Sequence, residues 1–254
     1  MNAASVVDAL RIPAAARVDQ RIPKKLIAEH GGASAADRRR IQEGIEALLW
    51  IAALKPSAIG IPEFRDEVRD YVEVEVVHLA ARSPTDAARL NECVHRSMPY
   101  PVMLVTETEG RVALSAAHKR RAQNEPGRVI IDGDMHEVWF EAGSTSAADA
   151  LARVVAAIRI DRLPAQDLQA FYGGYADALV AARIARVTQA FTLSRSAAHT
   201  DERLLALSEC ERSEREIQRL TLCSSEGRQM ARRVETNLAV QRLRAELTVV
   251  RSKL

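Results

Sequence analysis

Glu73 and Glu75 stand two residues apart in Val72-Glu73-Val74-Glu75-Val76. That alternation puts both carboxylates on one face of a strand, about 7 Å apart. With Lys119 downstream and Asp66 or Asp70 upstream, such a pair can bind Mg²⁺ and orient a water for phosphodiester hydrolysis. The residue two after Glu75 is Val77 rather than Lys, so no acid-x-lysine motif is intact. A solvated strand face explains the same alternation.

A second chemistry is contact with anions. His118-Lys119-Arg120-Arg121, flanked by Arg111 and Arg128, is the densest basic run, and Arg21, Lys24 and Lys25 form another. Of 36 basic residues 31 are Arg and five are Lys, so Arg clusters reflect composition, whereas three scarce lysines in these two motifs point to phosphate backbone or a partner's acidic surface. Cys93 and His95, i and i+2 on a helix, point about 200° apart and read as a core thiol and a surface imidazole. No G-x-x-x-x-G-K-[ST], H-E-x-x-H, C-x-x-C or G-x-S-x-G occurs, which weighs against NTP hydrolysis, zinc sites and α/β-hydrolase chemistry. No metal and no cofactor is expected.

The elements that would position these residues follow from periodicity. The first 20 residues show no sustained period and read as a flexible, extended segment. Ser34 and Asp37 form a capping signal before Ile41, Ile45, Leu48, Leu49 and Ala52, which predicts one amphipathic helix ending before Pro56. A strand follows from Tyr71. Ser83-Pro84-Thr85-Asp86 opens a helix that stops near Met98, before Pro99 and Pro101. Short β-rich runs at 102–106, 111–115, 129–131 and 135–140 are separated by Glu109-Gly110, a basic stretch and Asp132-Gly133, the last a hairpin signal. The fold class is α+β: a small, mostly antiparallel sheet with helices on one face. Trp50, Trp139 and Tyr100 are expected to anchor its core.

Beyond Glu141 the pattern is helical. Ser146 to Asp149 caps a helix carrying Leu151, Val154, Val155 and Ile158, and a longer helix follows Pro164, with Gly173-Gly174 marking a kink or a close contact. From Thr200 the chain is dense in Glu and Arg, with apolar residues at Leu204, Leu207, Ile217, Leu220, Met230 and Val234. Val240, Leu243, Leu247, Val250 and Leu254 step 3-4-3-4, as in a coiled coil. Ser224-Ser225 and Gly227 break the phase, so two helices or one interrupted helix are expected. The tail has little to bury alone and calls for a second copy, another protein or its own domain. The expected organisation is a flexible 1–20, an α+β domain 21–142, a helical section 143–198 and a coiled-coil-like tail 199–254.

The 254 residues carry a net charge of +2, 28% charged and 4% aromatic. Bulk charge demands no nucleic acid or membrane. The longest purely apolar run, 47–54, is eight residues, far short of the roughly 20 that span a bilayer. Three widely spaced cysteines, Cys93, Cys210 and Cys223, argue against a disulfide framework, and a cytoplasmic location is expected.

Several segments taken in order resemble a bacterial family, domain of unknown function 4391. They are Arg21-Ile22-Pro23-Lys24-Lys25, Trp50 with Leu54-Lys55-Pro56 and Ile59-Gly60-Ile61-Pro62, Val72-Glu73-Val74-Glu75-Val76, Met98-Pro99-Tyr100-Pro101, Ser115-Ala116-Ala117-His118-Lys119-Arg120, and Arg233-Val234-Glu235-Thr236-Asn237 running into Leu243-Arg244-Ala245-Glu246-Leu247. The resemblance carries no catalytic residues. It implies companionship with helicase and DNA methyltransferase components of restriction-modification or phage-defence loci. The combined expectation is a non-catalytic accessory subunit, with a partner seam at Val240, Leu243, Leu247 and Val250. Its basic residues Arg21, Lys24, Lys25, His118, Lys119, Arg120 and Arg121 would face a partner or DNA. The alternative is a divergent Mg²⁺-dependent nuclease using Glu73, Glu75 and Lys119.

Overall fold

The structure, a computed structural model, describes residues 2–30, 33–123, 125, 127–226, 230–252 and 254, with the side chains of 197 and 223–235 outside that description. Gly31-Gly32, Cys223, Ser224-Ser225, Gly227, Met230 and Arg233-Val234-Glu235, singled out in the sequence, therefore fall outside the described residues or side chains. The chain forms two compact units, Met1–Ala182 and Arg183–Leu254, a division that follows neither 142 nor 198.

The first unit is built on a mostly antiparallel sheet. Among the described residues its strands are β1 (Arg17–Arg21), β2 (Ile45–Leu54), β5 (Val74–Ala81), β6 (Val102–Thr108), β7 (Arg111–Ala116) and β10 (His136–Glu141), in the spatial order β1-β2-β5-β6-β7-β10. Two ribbons stand beside it: β3 (Phe64–Arg65) with β4 (Asp70–Tyr71), and β8 (Lys119–Arg121) with β9 (Val129–Ile131). The helices of this unit are α1 (Ala3–Ala9), α2 (Lys24–Glu29), α3 (Ala35–Gly44), the single turn α4 (Pro56–Ile59), α5 (Pro84–Ser97), α6 (Thr145–Ala157) and the start of α7 (Leu168–Thr188).

Three expectations are corrected. The helix starting at Ser34 ends at Gly44, and Ile45–Leu54 is a strand lodged between β1 and β5. Ile41, Ile45, Leu48 and Ala52 share a helical spacing, but 47–54 is an unbroken apolar run, which suits a strand covered on both faces better than an amphipathic helix. Asp132-Gly133 makes a turn, with Gly133 at φ +79°. The runs on either side pair elsewhere, β9 with β8 and β10 with β7, so no hairpin forms there. Residues 2–20 form structure: Asn2 caps α1 by accepting from the Ser5 amide at 2.9 Å, and Ala3, Val6, Val7 and Leu10 are buried at helical spacing. β1 then pairs with β2 across a bulge at 17–20 where Asp19 adopts φ +50°, a device that blunts a sheet edge.

The cap of α6 is Ser144 rather than Ser146, and the strand read from Tyr71 starts at Val74, whereas the bounds of α5 and the β6–β7 turn stand where the sequence puts them. Ser83 caps α5 and Pro84 opens it, and the helix stops before Met98; Glu109-Gly110 joins β6 to β7. β5 and β6 are parallel, and α5 is their crossover. On one face Ile27, Ile41, Leu90 and Val94 of α2, α3 and α5 pack with Leu48, Leu79 and Leu104. The alternate residues Met103 and Val105 are also buried, while α1 lies against β6 and α6 against β10. Helices therefore cover both faces, where one was expected.

The second unit contains α8 (Ala197–Glu226) and α9 (Met230–Arg251), two helices rather than one. They pack as a hairpin through Ala206, Cys210, Leu247 and Val250, with Ile217 and Leu254 alongside. Buried Arg203 closes its end, donating to the carbonyls of Thr192 at 2.8 Å and Leu254 at 3.0 Å. No described helix is long and apolar enough to cross a membrane.

Gly173-Gly174 turns out to be a close contact. A Cβ at Gly174 would lie 2.4 Å from Cδ of Pro164, whereas at Gly173 nothing comes within 4 Å. Gly174→Ala is therefore expected to destabilise by about 1–3 kcal/mol, and Gly173→Ala to stabilise by up to about 1 kcal/mol. Urea unfolding of the two variants checks this pair of opposite signs.

Candidate functional site

The carboxylate pair sits where β2 ends and β5 and β6 begin. Glu75 of β5 is paired with Ala53 of β2 and Val102 of β6, and its amide donates to the Pro101 carbonyl at 2.8 Å. Trp50, from β2, donates its indole N–H to the Glu75 carboxyl and to the Ala52 carbonyl. Glu73, just before β5, meets the Lys55 ammonium at 3.0 Å and is hydrogen-bonded to Tyr100.

This is not the solvated strand face that the Val-Glu alternation suggests. Glu75 is 2% exposed, because a central strand between two others, covered above and below, has no wet face, and Glu73, just before that strand, is 8% exposed and engaged by Lys55 and Tyr100. Burial, and then the neighbouring Glu73, push the Glu75 carboxyl up to about 8. Glu75 therefore holds its proton at neutral pH and exchanges it just above. The hydrogen bond and charge of Glu73 raise the Lys55 ammonium above its ordinary value.

Lys119 does not join the pair. It is 2% exposed, and its ammonium donates to the carbonyls of His95 and Met98 at the end of α5. Burial alone lowers it to about 7, no carboxylate contributing. The acid, acid and lysine singled out in the sequence are thus separated, and the lysine at the glutamates is Lys55. Trp50, Lys55 and Tyr100 are the residues that sequence reasoning left out of this site. The lysine scarcity that singled out Lys24, Lys25 and Lys119 applies equally to Lys55.

The basic run at 118–121 is largely consumed within the fold. His118 lies with Nδ1 2.6 Å from the Tyr71 hydroxyl and is lowered to about 4 by burial and then by His136 and Arg69, so the ring is neutral. Arg121 grips Asp70 with two bonds of 2.7 Å. Arg120 approaches Asp132 at 3.5 Å, and Arg69 holds the same carboxylate at 2.7 and 2.9 Å. At the N-terminal cluster, Arg21 donates to the Glu46 carbonyl at 3.4 Å, Lys24 to the Gln42 carbonyl at 3.1 Å, and Lys25 pairs with Glu29 at 3.6 Å. His95, expected at the surface, is fully buried beside Ser115 Oγ at 2.9 Å and is lowered to about 3, chiefly by burial. Cys93 is the core thiol expected, its thiol pushed up to about 11 by burial.

In the second unit, Val240, Leu247 and Val250 are buried and Leu243 is half-buried; Leu247 and Val250 pack on α8. The 3-4 seam is therefore occupied by the chain's own hairpin. Among the described residues no group of three or more His, Cys, Asp or Glu is placed to hold a metal ion. A family model described as domain of unknown function (DUF4391) matches residues 10–247. No curated protein and no solved structure matches the chain.

The raised Glu75 has a definite consequence. The folded state keeps this proton up to about 8, while the unfolded chain releases it near 4.5, so its contribution to stability is complete below 4.5 and is lost as pH rises towards 8. Glu75→Gln, which still accepts from Trp50, is expected to gain stability relative to the native protein between pH 5 and 8. Urea midpoints across that range read the difference; parallel curves would contradict it.

Proposed function

Since the chain belongs to the DUF4391 family, whose description assigns no activity, we propose that it is a non-catalytic interaction subunit that binds a partner through its C-terminal helical hairpin. One observation carries this reading. With the inner seam filled by α8 and α9, the hairpin still exposes Leu205 (74%), Leu222 (62%), Val249 (61%) and Leu238 (50%). Two helices packed on a single stripe leave their outer faces wet, and large aliphatic side chains there lose several tens of square ångströms of apolar burial each. Leu238 and Val249 are eleven residues, or three turns, apart and so share one face of α9.

This reading puts the partner seam on the outer faces rather than at Val240, Leu243, Leu247 and Val250. The resemblance makes a helicase or methyltransferase subunit of a restriction-modification or phage-defence complex the first candidate, and a second copy the next. DNA contact through Arg21, Lys25, Arg120 and Arg121 would have to exchange the bonds these side chains make internally. The nuclease alternative retains Glu73 and Glu75 but not Lys119, and it ranks second.

Leu238→Asp/Val249→Asp tests the reading. Both side chains are exposed, so folding should change by no more than about 0.5 kcal/mol per site. The native protein, tagged in its own host, is expected to show a complex mass and a co-purifying partner or second copy that the double variant loses. Equal mass and equal companions for both proteins would refute the hairpin as the contact.

A further inference from the structure

The end of α5 and the β8–β9 ribbon enclose a cleft of about 600 Å³, within the range of ligand-binding sites. Its walls combine the apolar Met98, Val129 and Ile131 with His30, Arg96 and Arg128, and no carboxylate lines it among the described residues. Arg96 pairs with Glu92 at 3.4 Å and Arg128 with Glu125 at 2.6 Å, and both arginine side chains are about half exposed. Ion pairs of that kind are worth about 0–1 kcal/mol, so an incoming carboxylate can replace them.

Two further features suit an extended chain. The ladder bonds Asp132 to His118 and Ala122 to Arg128, both 2.8 Å, make 118/132 and 122/128 the hydrogen-bonded pairs. In an antiparallel ladder the pairs between alternate, so Val129 and Ile131 point their N–H and C=O groups away from β8. The opposite edge obeys the same pattern, the Lys119 and Arg121 amides facing outward to Tyr71 and Val68. β9 pairs with β8 alone among the described strands, so its outer edge is open. The carbonyl end of α5, a source of negative potential at the cleft, is capped by the Lys119 ammonium at His95 and Met98.

We propose that this cleft docks an acidic peptide segment of a partner protein, extended along the free edge of β9. Its backbone pairs with Val129 and Ile131 and its carboxylates meet Arg96 and Arg128. Val129 and Ile131 supply two pairing positions, so about three peptide residues are held. The proposal is independent of the hairpin contact.

A random-hexapeptide phage selection on the full chain, with Arg96→Ala/Arg128→Ala as the counter-target, tests it. The expected peptides are rich in Asp and Glu and shift the amide resonances of Val129 and Ile131. They should bind the arginine variant at least tenfold more weakly and bind Leu238→Asp/Val249→Asp like the native chain. Peptides without acidic enrichment, equal binding to the arginine variant, or shifts confined elsewhere would overturn the proposal. Inorganic phosphate producing the same shifts at the same concentration would also overturn it, by reducing the site to one for simple anions.

Discussion

Lys119 is an amine taken out of water, titrating near 7, with no carboxylate among the described residues to meet it. Removing an ammonium from water costs several kcal/mol unless its protons are satisfied, and here the compensation comes from the carbonyls of His95 and Met98. Those carbonyls belong to the last turn of α5 and the residue beyond it, which have no further amides of the helix to accept from. One side chain thus meets two requirements, its own protons and an open helix end. Because α5 is the crossover between the parallel strands β5 and β6, fixing its end also fixes where Pro101 and Val102 enter the sheet, and hence where Glu75 and Tyr100 come to stand.

The same economy governs the other charged groups of the first unit. Asp37 caps α3 through Ser34 and holds Arg89 of α5 with two bonds of 2.8 Å, so a helix cap and a helix–helix tie share one carboxylate, and those bonds keep its carboxyl far below the usual range. Asp70 and Asp132 do likewise for Arg121, Arg69 and Arg120. Charges that read as a contact surface in the sequence are largely internal braces of the β3–β4 and β8–β9 ribbons. Arg96 and Arg128 at the cleft are instead about half exposed.

What the sequence disclosed depended on whether a signal was local. Ser83-Pro84 and the Met98-Pro99 stop define α5 because caps and proline act on their own backbone. Glu109-Gly110 did the same for β6 and β7. Ile45–Leu54 fits helical spacing because an unbroken apolar run fits any period, and only its place between two strands makes it a strand. Asp132-Gly133 produced the turn it favours but could not dictate which strands pair. The Val-Glu alternation of 72–76 assumed one wet face, and the burial of both faces is a tertiary fact. Lys119, adjacent to two solvent-capable arginines, carried no local mark of burial.

The most direct test of this account is the titration of the Lys119 ammonium, followed by NMR of the native protein with labelled lysine side chains. A midpoint near 7, with no response to added duplex DNA, is expected of a buried ammonium bonded only to carbonyls. A midpoint near 10.5, or a shift on adding DNA, would make Lys119 a surface cation and contradict its role as the anchor of α5.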